Sequence, residues 1–131
     1  MKIFGIGTDI VNIKRIEKTI NRFGNKFIER CFTKEEIFKS ENRTGRIASY
    51  AKRFAAKEAC SKALGTGIAK GIFWKDIGIL NLKTGKPEII LNGNAKKLIE
   101  TLVPRNKIPH ISLSMTDEKD LAYAIVIISY D

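Results

Sequence analysis

One alanine-rich stretch near the middle of the chain constrains the fold more than any other part of the sequence. Residues 51–67 read AKRFAAKEACSKALGTG, and no proline interrupts them. Alanine is the strongest helix former, and the Gly-Thr-Gly at the end of the stretch can break and cap a helix. Together with the residues before it, the stretch predicts a long helix from about Arg46 to Leu64.

One face of this helix combines apolar residues with a carboxylate. At about 100° per residue, Ile47, Ala51, Phe54 and Glu58 fall on one narrow stripe. Glu58 is therefore in line with an inward-facing apolar row, where an unpaired charge is costly. Lys62 follows one turn later, and three cations line up along the flank of the stripe: Arg46, Arg53 and Lys57. This combination is a candidate site for a metal ion and a polyphosphate.

The Glu58–Lys62 pair also has a simpler interpretation. An acid four residues before a base is common on solvated helices and contributes only about a few tenths of a kcal/mol. Spacing alone leaves both interpretations open, and the apolar neighbours of Glu58 favour a functional role.

The N-terminal residues predict a strand that ends near a carboxylate. Residues 2–11 are rich in strand-forming Ile, Phe and Val, and Asp9 lies near the end of the segment. Its Gly5-Ile6-Gly7 begins like a dinucleotide fingerprint, but Ile10 stands where the third glycine is needed, and no P-loop lysine follows. We reject both nucleotide motifs. Asp9 is then either a turn or helix-entry carboxylate or a metal ligand at the end of the strand.

A basic helix is predicted after Asn12, which can cap it, and Gly24 ends it. Its predicted apolar face consists of Ile13, Ile16, Ile20 and Phe23. The opposite face carries four cations: Lys14, Arg15, Lys18 and Arg22. No acid lies on it, since Glu17 is to one side. The face is either an ordinary solvated surface or a docking surface for an acidic helix.

Shorter elements follow from capping residues, turns and strand-forming runs. Thr33 and Glu36 make a capping-box start for a helix that reaches about Ser40. The glycine-rich segment that begins at Gly65 is either a turn or a close approach to a ligand. The other predicted elements are helices at 26–31 and 95–102 and strands at 77–82, 88–91, 110–115 and 121–129, with hairpin turns at 83–87 and 116–120. Because residues 122–128 are nearly all apolar, we expect both faces of the last strand to be buried.

Composition limits the class of protein. The chain has 131 residues with 44% hydrophobic content, which predicts one domain with its own core. No apolar run approaches the roughly 18 residues of a membrane span, and the residues before Asp9 do not form a signal peptide. We therefore expect a soluble cytoplasmic protein. Cys31 and Cys60 have no metal-ligand spacing and are interpreted as small buried side chains in a reducing compartment.

The charge balance points to an anionic partner. Lys and Arg number 24 against 14 Asp and Glu, a formal net charge of +10. Nucleic acid, an acidic protein and a phosphorylated ligand all fit that excess. The only histidine, His110, begins a strand after a basic linker, where it either makes local hydrogen bonds or reaches a phosphate.

The motifs together resemble a known family. They are GIGTDIV at 5–11, RFAAKEA at 53–59, KALGTGI at 62–68, GKP at 85–87 and HISLS at 110–114, followed by a hydrophobic strand. In order and spacing, over essentially the whole chain, they resemble the holo-[acyl-carrier-protein] synthases, the small bacterial 4′-phosphopantetheinyl transferases. One departure is Met115, where many members carry a second histidine.

The resemblance implies a single α+β domain over residues 1–131, with a curved antiparallel sheet packed around a long central helix. It implies transfer of the 4′-phosphopantetheine arm of coenzyme A to a serine of apo-acyl carrier protein, release of adenosine 3′,5′-bisphosphate, a magnesium requirement and a role in fatty acid biosynthesis. The family is typically a homotrimer that binds coenzyme A between subunits.

The resemblance also implies roles for individual residues. Asp9 and Glu58 match the magnesium ligands, and Lys62 matches the lysine beside the scissile pyrophosphate; these three are the expected catalytic residues. The expected coenzyme contacts are Arg53, Lys57, Lys62, Gly65 and His110, with Arg46 as a further candidate. The basic face of the first helix becomes the expected docking surface for the acidic carrier protein. A metal-bound water, Glu58 and Lys62 all remain candidates for the base that activates the serine.

Two other classes of protein are weaker alternatives. A small nucleic-acid-binding protein would explain the charge, but the sequence contains no helix-turn-helix signature, no aromatic stacking motif and no zinc spacing. A different coenzyme A enzyme, such as an acyltransferase, lacks its usual nucleophile and base here.

Overall fold

The structure is a computed structural model that describes residues 1–131. Its strands are β1 (Lys2–Asn12), β2 (Ile77–Asn81), β3 (Pro87–Leu91), β4 (Pro109–Glu118) and β5 (Leu121–Tyr130). Its helices are α1 (Ile13–Phe23), α2 (Asn25–Cys31), α3 (Lys34–Glu41), α4 (Arg46–Ala63) and α5 (Gly93–Leu102), and a 3-10 turn (Trp74–Asp76) precedes β2. None of the helices is both long enough and apolar enough to cross a membrane.

The strands form two antiparallel sheets. The larger sheet has the order β1-β5-β4, and β2 pairs only with β3 in a separate hairpin. Helix α4 packs against β1 and β5 on one face of the larger sheet. This arrangement confirms the expected α+β class with an antiparallel sheet on a long helix.

The core lies between α4 and the larger sheet. On the helix side it is built from alanines spaced four residues apart, all of them buried: Ala51, Ala55, Ala59 and Ala63. On the sheet side it contains the inward residues of β5, which are Ala122, Ala124, Val126 and Ile128. The alanines of α4, with Ala122 and Ala124 of β5, let helix and sheet approach closely, because packing distance follows side-chain size.

The helix boundaries agree well with the capping residues. The Asn12 side chain accepts a hydrogen bond from the backbone N–H of Arg15, and Thr33 and Glu36 form a complete capping box. Helix α4 ends one residue earlier than predicted, at Ala63. Cys31 and Cys60 are both buried free thiols, as expected. Burial raises the pKa of Cys31 to about 11 and that of Cys60 to about 12, so neither thiol is reactive near neutral pH.

Two expectations about the C-terminal hairpin differ from the structure of the single chain. Within this chain the last strand buries only one face: Tyr123 and Ile125 are exposed, because no helix covers the outer face of the sheet. The polar residues 116–118 belong to β4, so the turn contains only Lys119 and Asp120. Since β4 is an edge strand with a solvated side, polar residues are compatible with it, and polarity alone is a poor sign of a turn there.

Candidate active site

Asp9 of β1 and Lys62 of α4 meet at the rim of the helix–sheet interface. The Nζ of Lys62 lies 3.0 Å from Oδ1 of Asp9 and also donates a hydrogen bond to the carbonyl of Thr8 at 3.1 Å. The side chain of Asp9 is only 16% exposed, whereas that of Lys62 is half exposed. The structure therefore joins two residues that are 53 positions apart in the chain into one small polar cluster.

Glu58, one turn before Lys62 on the same helix, completes this cluster. Burial and the neighbouring charge of Asp9 raise the pKa of Glu58, and Lys62 opposes the rise. Two carboxylates held near each other at the edge of an apolar core repel, and a bound cation relieves that repulsion. Asp9, Glu58 and Lys62 together form the Asp9 cluster.

The donor set of the Asp9 cluster fits magnesium. No group of three or more His, Cys, Asp or Glu side chains could hold a metal ion, so the chain offers no complete protein cage. Magnesium is usually bound by one or two carboxylates, with waters and substrate phosphates as its other ligands. Asp9 and Glu58 match that pattern, and both are hard oxygen donors.

A cavity of about 740 Å³ opens beside Asp9 and Lys62. The residues of β4 and β5 that line it include Ser114, Thr116 and Tyr123. Its volume lies within the range of small-molecule sites. No role for these hydroxyls was predicted from the sequence, although Ser112, Ser114 and Thr116 alternate with period two, which places them on one face of β4. Met115 also lines the cavity.

Lys57 is not part of the Asp9 cluster. Its ammonium is fully buried, forms an ion pair with Glu36 at 2.8 Å and donates hydrogen bonds to the carbonyls of Trp74 and Ile77. Burial lowers the pKa of Lys57, and Glu36 opposes that shift. All three protons of the ammonium have partners, so Lys57 is unavailable to a phosphate. This environment argues against the predicted contact of Lys57 with coenzyme A. Helical spacing alone does not show that α3 and β2 cover this flank of α4.

Arg53 is buried as well, but its charge has no carboxylate partner. It is 1% exposed and donates hydrogen bonds to Oγ of Ser49 at 2.8 Å and Oδ1 of Asn81 at 2.6 Å. Its Nε has no hydrogen-bond partner. Arg53 precedes Glu58 by five residues, about 7.5 Å along the helix axis, so it lies at some distance from the Asp9 cluster.

The other expected coenzyme contacts lie elsewhere in the chain. Arg46 pairs with Glu41 at 2.8 Å near the start of α4. Gly65 has a φ of 90° in the turn after α4, a conformation that favours glycine. His110 lies 3.2 Å from the C-terminal Asp131. It is opposite Ser129, whereas Asp9 is opposite Ala124, a separation of about 17 Å along β5. One chain therefore does not bring His110 to Asp9.

The basic face of α1 is exposed as predicted. Lys14, Arg15, Lys18 and Arg22 are all solvent-exposed. Lys14 lies 3.5 Å from Asp120 in the β4–β5 turn, and the other three form no salt bridge. Phe23 was expected on the apolar face but is 50% exposed, with the guanidinium of Arg22 over its ring.

Comparisons with known proteins agree with this geometry. Residues 5–126 match the model of the 4′-phosphopantetheinyl transferase superfamily. A holo-[acyl-carrier-protein] synthase of Rhizobium leguminosarum bv. trifolii is 56% identical over 126 residues, covering 96% of this chain and 94% of the relative.

Solved structures show the same fold. The holo-[acyl-carrier-protein] synthase of Neisseria meningitidis superimposes with a TM-score of 0.84 at 41% identity, covering 97% of this chain and 98% of that one. The Helicobacter pylori enzyme, solved in complex with coenzyme A, gives a TM-score of 0.81 at 38% identity, over 95% and 99% of the two chains. The Asp9 cluster is assembled from the motifs at 5–11, 53–59 and 62–68. The similarity in sequence and structure shows that the chain belongs to the holo-[acyl-carrier-protein] synthases of the 4′-phosphopantetheinyl transferase superfamily.

Proposed function

We propose that this chain transfers the 4′-phosphopantetheine group of coenzyme A to a serine hydroxyl of apo-acyl carrier protein, with release of adenosine 3′,5′-bisphosphate. The serine oxygen forms the new bond to the β-phosphorus of coenzyme A, and the bond from that phosphorus to the bridging oxygen breaks, so that this oxygen leaves with adenosine 3′,5′-bisphosphate. The serine hydroxyl gives up its proton to a base, for which Glu58 and Lys62 are the candidates among the side chains of this chain. The observation that carries the proposal is the Asp9 cluster at the mouth of a ligand-sized cavity. A role in fatty acid biosynthesis and a cytoplasmic location belong to the same proposal.

The Asp9 cluster suits this reaction because pyrophosphate cleavage must neutralise negative charge. Asp9 and Glu58 would hold magnesium, which supplies charge neutralisation at the phosphoryl oxygens. Lys62 is half exposed and stays within reach of the incoming pyrophosphate, where its ammonium stabilises charge that develops on the leaving group. The carboxylates come from a strand and a helix that share one core, so their relative position is fixed.

Arg53 remains a candidate for a coenzyme phosphate because its guanidinium has no carboxylate partner and its Nε–H is unpaired. Since Arg53 is 1% exposed, this contact requires its side chain to become accessible when the coenzyme binds. A ligand phosphate beside it would supply the missing counter-charge. Arg46 and Gly65, at the two ends of α4, remain candidates as well.

We also propose that the chain acts as a homotrimer that buries the outer face of the larger sheet. That face exposes several large apolar side chains: Ile6, Ile10, Leu121, Tyr123 and Ile125. A contiguous apolar surface of this kind is typical of an interface. His110, which is remote from the Asp9 cluster of its own chain, would then contact coenzyme A bound at a neighbouring copy.

The basic face of α1 is the proposed docking surface for the acidic carrier protein. Arg15, Lys18 and Arg22 are exposed and free of salt bridges, so their charge is available to a partner. Opposite charge on the two proteins raises the encounter rate.

The proposal is tested by mixing the purified chain with apo-acyl carrier protein, coenzyme A and magnesium and measuring the intact mass of the carrier. A gain of one phosphopantetheine group that disappears with a chelator supports the proposal. Asp9→Asn and Glu58→Gln should each abolish the mass gain while the circular dichroism spectrum stays that of a folded protein. No mass gain from the folded wild type would contradict it, and binding of RNA and DNA at physiological salt would then be measured.

A further inference from the structure

We propose that Gly7, together with Gly5, is a positioning residue for the Asp9 cluster. The absence of a side chain at these two positions lets β1 approach α4 closely enough for the short carboxylate of Asp9 to reach Lys62 and Glu58. This inference rests on the proposed function of the Asp9 cluster. It explains the short distance between Asp9 and Lys62 by the close packing of β1 on α4.

The packing of β1 on α4 is a contact between backbones. A Cβ atom at Gly5 would lie 2.3 Å from the carbonyl oxygen of Ala63, and one at Gly7 would lie 1.8 Å from that of Ala59. Ordinary van der Waals contact begins at 3.4 Å, so any side chain at either position would force strand and helix apart by more than 1 Å. Because the obstacle is helix backbone, no change of rotamer relieves the clash.

Steric space, and not backbone conformation, is what requires glycine here. Neither Gly5 nor Gly7 has a positive φ, unlike Gly24, Gly65 and Gly67. An L-residue with a side chain could adopt the backbone conformation of both positions without strain. The requirement is therefore specific to the distance between β1 and α4.

That distance controls where Asp9 lies. From Gly5 to Val11, the odd-numbered residues of β1 face the helix, since Gly7 and Val11 are buried and the residues at 8 and 10 are exposed. Two residues of a strand span about 7 Å, and four residues of a helix span nearly the same length, about 6 Å. Gly5 therefore packs against Ala63, and Gly7 packs against Ala59 one helical turn earlier. Asp9 is the next residue of β1 on this face. Its carboxylate therefore faces α4, where the side chain of Lys62 contacts it and that of Glu58 lies near it.

A small separation of strand and helix is enough to disrupt the cluster. The contact between Asp9 and Lys62 is 3.0 Å long, an ordinary hydrogen-bond distance, and such bonds extend only to about 3.2 Å. Moving β1 outward by more than 1 Å breaks this contact and widens the gap between the two carboxylates. A misplacement of about 1 Å in a reacting group can lower the rate by about 100-fold.

The test compares Gly5→Ala and Gly7→Ala with the wild type and with a remote destabilising control, Ile99→Ala. Ile99 is buried on α5, away from the Asp9 cluster. For each folded variant we would measure the melting temperature, kcat for carrier modification, and the affinity for Mn²⁺ by calorimetry without coenzyme A. We expect both glycine variants to lose about 10- to 100-fold in kcat and to bind Mn²⁺ more weakly, whereas Ile99→Ala loses melting temperature alone.

A longer carboxylate gives a second readout that a purely structural role would not change. Asp9→Glu should lower kcat in the wild-type background, where the site is sized for Asp. In the Gly5→Ala background the extra methylene compensates for the displaced strand, so adding Asp9→Glu should raise kcat above that of Gly5→Ala alone. This reversal of sign is the specific signature of positioning.

Three results would overturn the inference. The first is a folded Gly5→Ala or Gly7→Ala protein with wild-type kcat and Mn²⁺ affinity at a lowered melting temperature. The second is an Asp9→Glu effect of the same size and sign in both backgrounds. The third is failure of both glycine variants to fold, which would assign the close packing to folding. An inactive wild type that binds no Mn²⁺ would instead contradict the proposed function of the cluster.

Discussion

Lys57 and Glu36 form an ion pair from which water is fully excluded. The Nζ of Lys57 lies 2.8 Å from Oε1 of Glu36, and both side chains have no exposed surface. The second carboxylate oxygen of Glu36 accepts a hydrogen bond from the backbone of Ile79 at 3.0 Å. The pair therefore connects α3, α4 and β2 in the interior of the chain, immediately next to Glu58 in sequence.

Lys57→Met should destabilise the fold strongly without a selective effect on coenzyme A. Removing one partner of a buried pair leaves the other charge uncompensated, at a cost of about 3–5 kcal/mol. We expect the free energy of unfolding in urea to fall by that order, while the KM for coenzyme A of the folded fraction stays near the wild-type value.

The double variant Glu36→Leu/Lys57→Met provides the matched control. It removes both charges, so part of the lost stability should return, since replacing a whole buried pair by apolar residues is often nearly neutral. Recovery should be incomplete because Glu36→Leu also removes the acceptor for the backbone N–H groups of Thr33 and Ile79. A large rise in KM for coenzyme A in the double variant, with stability restored, would show that Lys57 does bind the coenzyme.

Glu58 should make the folded chain less stable at neutral pH when no metal is bound. A carboxyl group whose pKa is raised in the folded state holds its proton more tightly there than in the unfolded chain. The free energy of unfolding therefore falls as the pH rises above the pKa that the group has in the unfolded chain. In the presence of a chelator, Glu58→Gln should therefore melt at a higher temperature than the wild type near neutral pH. The difference should disappear well below pH 4.5, where the group is protonated in both states.

The measurement is the melting temperature of the wild type and of Glu58→Gln across this pH range. The control is Glu17→Gln, which changes an exposed carboxylate of α1. Adding magnesium should raise the melting temperature of the wild type and have little effect on Glu58→Gln, because a ligand that binds only the folded state stabilises it. A lower melting temperature for Glu58→Gln at neutral pH with chelator would contradict this account.

The parts of the fold that could be predicted from the sequence are those with local causes. The capping box of Thr33 and Glu36 and the ends of α4 follow from residues within one turn of each other. The outer face of β5 could not be predicted in this way. An apolar run does not show which of its faces a helix covers, and in this chain only one is covered.

In the candidate site, too, the relationships within one helix could be predicted from the sequence, and those that depend on distant elements could not. Helical periodicity correctly related Glu58 to Lys62, because both lie on one helix. It could not distinguish Lys62, which reaches Asp9, from Lys57, whose surroundings are set by α3 and β2. The packing role of the glycines in GIGTDIV could not be predicted from the sequence, since the atoms that crowd them belong to a helix more than 50 residues away.

Charge placed on the outer face of the larger sheet should dissociate the proposed trimer. Ile6 is 61% exposed on this face and does not line the cavity. Ile6→Asp should shift the mass measured by light scattering from trimer to monomer, because the interface would have to bury an unpaired carboxylate. Activity should fall with it if neighbouring copies share the coenzyme site.

Ile90→Asp is the control for this experiment. Ile90 is 42% exposed on β3, in the separate hairpin, so the same substitution there should leave the oligomeric state unchanged. A wild-type chain that is monomeric at assay concentration, or a trimer that survives Ile6→Asp, would be inconsistent with burial of this face.

Reversing charge on α1 should weaken recognition of the carrier protein specifically. Arg15 and Arg22 are exposed and form no salt bridge, so Arg15→Glu/Arg22→Glu changes the surface field with little effect on folding. We expect the KM for apo-acyl carrier protein to rise about tenfold or more at low salt, while the KM for coenzyme A changes little.

The matched control is Lys96→Glu/Lys97→Glu on α5, which changes the net charge by the same amount on another exposed surface. If α1 is the docking surface, this control should keep a carrier KM near that of the wild type, and the difference between the two double variants should shrink as salt screens the surface charges. Equal effects of the two double variants would show that net charge alone attracts the carrier protein and that α1 has no special role.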